Sequence, residues 1–113
     1  MLQAQIFIDK HELMGTQALY EYILQLLIRQ SINGATVFEG TVGYGINQRI
    51  NHPHALFSFD ETPMTIIFID SKEKVISALT TLRKIWKGGF IVTNPVDVFN
   101  IEDNATGNNF SSK

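Results

Sequence analysis

A chain of 113 residues suits one domain and is short for two. Hydrophobic residues make up 44% and charged residues 18%, which excludes a disordered chain and leaves a lightly charged surface or one that is partly covered. Nine basic against eleven acidic side chains (net −2) argue against a nucleic-acid binder that works through a basic face, and the absence of cysteine excludes disulfides, thiolate metal sites and thiol catalysis.

Residues 2–8 read as a strand, with Ala4, Ile6 and Ile8 on one face and Gln3, Gln5 and Phe7 on the other. Residues 9–15 read as a polar connection, with Thr16 as the N-cap of a helix over 17–30. Leu19, Ile23, Leu26 and Leu27 form its apolar stripe, widened by Tyr20 and Leu24. Ser31-Ile32-Asn33-Gly34 ends it, and Asn33-Gly34 is the expected left-handed turn.

A second strand is predicted from Ala35 to about Val42. Residues 43–54 have no period and read as a long loop, a length that in a compact domain is commonly functional. A third strand region covers 55–70, interrupted by a bend at Asp60-Glu61-Thr62-Pro63 and resuming as the dense apolar run Met64–Ile69. Asp70 or Ser71 can cap a second helix over 72–87, with Val75, Leu79, Leu82 and Trp86 in register. Arg83, Lys84 and Lys87 suit its C-terminal end, and Gly88-Gly89 stops it. A fourth strand begins at Phe90, bends at Pro95 and continues over 96–99. The polar tail, 101–113, is expected to be disordered, which leaves 1–100 as the folded domain.

The order βαββαβ predicts an α+β, ferredoxin-like fold: a four-stranded antiparallel sheet with two helices on one face. Met64–Ile69 is apolar on both faces, yet the helices cover one. Self-association through the other face is the economical expectation.

These residues also carry a resemblance. Ile6-Phe7-Ile8, Leu19-Tyr20-Glu21, Gly34-Ala35-Thr36-Val37, Gly40, Gly43-Tyr44-Gly45, Arg49-Ile50, Pro63 and Asp70 occur in that succession. Over about residues 2–99 the chain resembles the domain-of-unknown-function family one-hundred-and-ninety, a branch of the PII-like signalling superfamily. The resemblance implies a homotrimer with its sheets packed at the centre. It also implies clefts between subunits that bind adenine nucleotides, and a mobile T-loop at 43–54 that docks on a protein partner. PII proteins carry Gly-Asp-Gly-Lys before the fourth strand, whereas Trp86-Lys87-Gly88-Gly89-Phe90 stands here, with its lysine ahead of the glycines.

Glycines let backbone N–H groups approach a phosphate, and a guanidinium grips it with two hydrogen bonds. Gly43, Gly45, Arg49, Lys87, Gly88 and Gly89 are therefore the candidate anion site, assembled across a subunit boundary. The alternative for the same residues is a bulge or bend at Gly40 and Gly43, a helix stop at Gly88-Gly89 and a solvated arginine. His52 and His54, with His11, are a weaker metal candidate; two histidines that chance to share a surface loop are the plainer reading. Trp86 reads as core ahead of a base-stacking platform. No general-base pair or nucleophile arrangement is indicated, so an enzyme is not expected.

The leading expectation is a cytoplasmic PII-like trimer that senses a small anionic ligand, an adenine nucleotide being the candidate, and signals through the 43–54 loop. Its opening residues, Met1-Leu2-Gln3-Ala4-Gln5, lack the basic region of a signal peptide, and no apolar run is long enough to insert in a membrane. The alternatives are a divalent-metal-binding trimer that uses His52 and His54, and a ligand-free adaptor. No particular cofactor is identified.

Overall fold

The computed structural model describes residues 1–40 and 62–99. Strands β1 (Leu2–Asp9), β4 (Ala35–Glu39), β5 (Pro63–Asp70) and β6 (Phe90–Pro95) form one sheet in the order β4-β5-β1-β6, every pair antiparallel. Helices α1 (Leu19–Arg29) and α2 (Lys72–Ile85) follow β1 and β5. This is the expected ferredoxin-like arrangement. α1 carries the chain from β1 past the place of β5 to the edge at β4, and α2 carries it from β5 past β1 to the other edge at β6, so β1 lies between β5 and β6.

The core lies between sheet and helices. Ala4, Ile6, Ile66 and Phe68 from the sheet meet Leu19, Ile23, Val75 and Leu82 from the helices, all buried. Period-two alternation on the strands and 3–4 spacing on the helices put these residues on facing surfaces. The opposite sheet face carries Gln3, Gln5, Phe7, Thr65, Ile67, Ile69, Phe38 and Phe90 by register. Phe38 is 56% and Phe90 63% exposed, and the Phe7 and Phe90 rings lie 6.0 Å apart.

Several local expectations are corrected. The connection after β1 contains a two-strand hairpin, β2 (Leu13–Met14) with β3 (Gln17–Ala18), turning through Gly15 at φ +66°. Helix α1 starts at Leu19, with Ala18 and not Thr16 at the N-cap. No side chain caps it; the Leu19 N–H instead donates to the Glu12 carbonyl at 2.8 Å. At the other end the left-handed residue is Ser31 (φ 65°) and not Asn33-Gly34. Ser31 N–H donates to Ile28 O and Ile32 N–H to Leu27 O, both at 3.0 Å, the Schellman closure, with Ile32 buried beneath it.

Helix α2 ends at Ile85, two residues earlier than predicted, because Trp86 turns to extended backbone (φ −141°, ψ 121°). Strand β6 ends at Pro95, and 96–99 adds no strand. Proline is tolerated because β6 is an edge. β4 ends at Glu39. The predicted continuation to Val42, the first part of the third strand region (55–61), the 43–54 loop and the 101–113 tail lie outside the described residues.

Ser71 caps α2, its Oγ accepting from Lys74 N–H at 3.3 Å. Asp70 beside it is 3% exposed. Burial alone would raise its carboxyl pKa. Hydrogen bonds from Ser71 N–H (2.7 Å) and Asn33 N–H (3.0 Å), with the Lys74 ammonium at 3.3 Å, outweigh burial and hold it below the ordinary aspartate value. One buried carboxylate thereby ties the α1–β4 turn to the start of α2.

Candidate functional site

The described part of the predicted site is the turn between α2 and β6. Trp86 closes the core at the end of α2, 7% exposed, and its indole N–H donates to the Glu12 carboxylate at 3.0 Å. The main chain then passes close beneath the ring. A side chain at Gly88 would come within 3.0 Å of the indole nitrogen and 3.4 Å of the Glu12 carboxylate. Gly89 has φ +62°, and a Cβ there would lie 2.7 Å from the Phe7 carbonyl oxygen. Only glycine fits that conformation and that approach.

Two cations tie off the carbonyl end of α2. Arg83 Nη1 donates to Gly88 O at 2.6 Å and Trp86 O at 3.2 Å, and its guanidinium stacks over the indole, 5.1 Å from the ring centroid. Lys87 Nζ donates to Arg83 O at 2.6 Å. The negative end of the helix dipole is thus met by two positive charges within one turn. An open groove on the outer side of α2, lined by Ile76, Leu79, Thr80, Arg83, Lys84 and Lys87, adjoins this turn.

The same end of the sheet holds the stems of the 41–61 segment. Gly40 N–H donates to Pro63 O at 2.8 Å, Lys10 N–H to Thr62 O at 2.9 Å and Thr62 N–H to Asp9 Oδ1 at 2.9 Å. Lys10 and Glu39 pair at 3.1 Å across the exposed strand ends, a contact of small energetic weight in water. Register places these stems beside β1's C-terminal end, where Phe7 also pairs with Phe90.

Of the predicted anion-site residues, Lys87, Gly88 and Gly89 are brought together at this turn. Gly43, Gly45 and Arg49 lie outside the described residues, as do His52 and His54 of the metal candidate. His11 sits in the turn after β1, where its backbone N–H donates to Asp9 Oδ1 at 3.1 Å. Among the described residues no cluster of three or more metal-ligating side chains occurs. Sequence reasoning missed two contributors, Arg83 and Glu12. Arg83 is legible there only as a helix-terminal cation, and nothing in the sequence pairs Glu12 with Trp86 across 74 positions.

Solved structures share this ferredoxin-like fold. The chain superposes on CPII, a nitrogen regulatory PII-like protein from Thiomonas intermedia K12, in the form bound to ADP, AMP and bicarbonate. The TM-score is 0.64 at 20% identity, with 88% of each chain covered. The apo form of CPII gives a TM-score of 0.58 at 18% identity, covering 86% of this chain and 89% of that one. The family model of DUF190, an uncharacterized ACR family, matches residues 1–98, and the chain belongs to this family. Its relatives include a UPF0166 protein of Aquifex aeolicus, 30% identical over 80 residues (70% of this chain, 75% of that protein). A second, from Methanocaldococcus jannaschii, is 26% identical over 96 residues (84% and 88%). No described helix is long and apolar enough to cross a membrane.

Proposed function

We propose that this protein is a non-catalytic PII-like regulator that binds a small anionic ligand, an adenine nucleotide by preference, at the end of the sheet holding the Gly88-Gly89 turn. The reading rests on one observation above the rest. A left-handed glycine with the chain on either side drawn close under Trp86 sits beside Arg83 and Lys87, at the end of the sheet from which the 41–61 segment leaves. An exposed left-handed glycine with cations adjacent suits a phosphate, which takes backbone N–H groups and positive charge together. That the similar protein CPII has been solved with ADP, AMP and bicarbonate supports the ligand class.

Gly43, Gly45 and Arg49 complete the site in this proposal, with Lys87, Gly88 and Gly89 coming from the neighbouring subunit. Ligand binding at the loop base then holds 43–54 in one conformation and changes its affinity for a protein partner. The assembly is a cytoplasmic homotrimer. The sheet face opposite the helices, which no described element covers and on which Phe7, Phe38, Ile69 and Phe90 are exposed, supports burial against further copies.

The test is the mass of the purified protein by light scattering, then a thermal-shift screen of nucleotides on the same sample. A mass near three times 12.7 kDa with a shift for an adenine nucleotide is expected. A monomer, or a trimer indifferent to every nucleotide, overturns the reading.

A further inference from the structure

We infer that Arg83 is the positioning residue of the Gly88-Gly89 turn: by gripping the Trp86 and Gly88 carbonyls it holds the Lys87 and Gly89 N–H groups outward as an anion cradle. The inference rests on the ligand-sensing reading above and adds to it the residue that shapes the site.

Peptide geometry fixes the directions. No described peptide bond is cis, and in a trans peptide the C=O and the following N–H point in opposite directions. The Trp86 carbonyl faces Arg83 at 3.2 Å, so the Lys87 N–H faces away from the guanidinium. The Gly88 carbonyl faces Arg83 at 2.6 Å, so the Gly89 N–H does the same. Among the described residues neither N–H has a hydrogen-bond acceptor. A planar fork can hold two carbonyls at once, whereas an ammonium is a single point charge. The guanidinium is itself held, stacked on the buried Trp86 ring, whose indole N–H is anchored on Glu12.

The same contacts set the electrostatics of the turn. A helix C-terminus repels anions through its unpaired carbonyls. Here the carbonyls of Arg83, Trp86 and Gly88 are each occupied by a cationic side chain. The Glu12 carboxylate lies against Gly88, where its Oε2 accepts from the indole N–H.

The experiment uses the full chain, ADP and AMP as probes by calorimetry, and the amide resonances of Gly88 and Gly89 by NMR. Arg83→Met and Arg83→Lys are compared, each checked for folding by circular dichroism. The expected result is that Arg83→Met moves the Gly89 amide resonance and weakens nucleotide binding at least tenfold, and that Arg83→Lys does not restore binding. Unmoved glycine resonances in Arg83→Met, or wild-type affinity in either variant, overturn the positioning role and leave the ligand-sensing reading standing. Should Arg83→Met fail to fold, Arg83→Lys carries the same decision. A wild-type protein that binds neither ADP nor AMP removes the ligand-sensing reading and the cradle with it. A lowered melting temperature in the variants, with the affinity of the folded protein unchanged, would confine Arg83 to stability and overturn the positioning role.

Discussion

Trp86 and Glu12 stand 74 positions apart in the chain and meet through one hydrogen bond of 3.0 Å from the indole N–H to the carboxylate. The bond joins the turn after β1 to the turn before β6, and it places the protein's single tryptophan at the candidate site. Glu12→Ala should leave a buried donor unpaired and cost about 1–3 kcal/mol in urea unfolding. Glu12→Gln, which keeps an acceptor, should cost less. The Trp86 emission maximum should move with Glu12→Ala, and a spectrum identical to wild type would show that the bond does not form in solution.

Two glycines of contrasting geometry make a paired test. Gly89 is left-handed and has no room for a Cβ, so Gly89→Ala should destabilise the fold by more than about 1 kcal/mol. A Cβ at Gly34 would meet nothing within 4 Å, and Gly34 is not left-handed, so Gly34→Ala should be neutral or stabilising by about 0.4–1 kcal/mol. Chemical denaturation of both variants checks the pair.

Ser31 closes α1 from the left-handed region at φ 65°. Glycine takes that conformation without the Cβ penalty, so Ser31→Gly should raise stability by up to about 1 kcal/mol. A loss of stability would place the Ser31 side chain in a contact that the Schellman closure does not require.

Asp70 sets an acid limb. Its folded pKa lies below the ordinary 3.8, so its contribution is fully present above that value and is lost as pH falls from 3.8 through the folded pKa. Asp70→Asn should therefore be less stable than wild type by about 1–3 kcal/mol at neutral pH, and the difference should shrink as pH drops below 3.8. A gap independent of pH would mean that the carboxylate charge contributes nothing.

The sheet face that no described element covers predicts an assembly that a single charge disrupts. Ile67 lies on that face between Gln5 of β1 and Thr36 of β4. Ile67→Asp should shift the mass by light scattering to that of a monomer, because an unpaired carboxylate is costly to bury at an interface. An unchanged mass would put the contact elsewhere.

Local pattern was enough to define the layers of this protein. Alternation in Ala4, Ile6 and Ile8, the stripe Leu19-Ile23-Leu26-Leu27 and the βαββαβ order carry the sheet, the helices and the covered face, since periodicity is a property of neighbouring residues. The Leu13–Ala18 hairpin escapes such a reading because two-residue strands have no period. Composition points to Asn33-Gly34 as the left-handed turn, but the buried side chain of Ile32 draws the closure to Ser31. At the site, Lys87, Gly88 and Gly89 are legible as residue types. Arg83 turning back onto the Trp86 and Gly88 carbonyls, and Glu12 coming to meet the indole, follow only once β1 pairs with β6 and brings two distant turns to one end of the sheet. Contacts of that kind depend on where the chain returns, which no local pattern records.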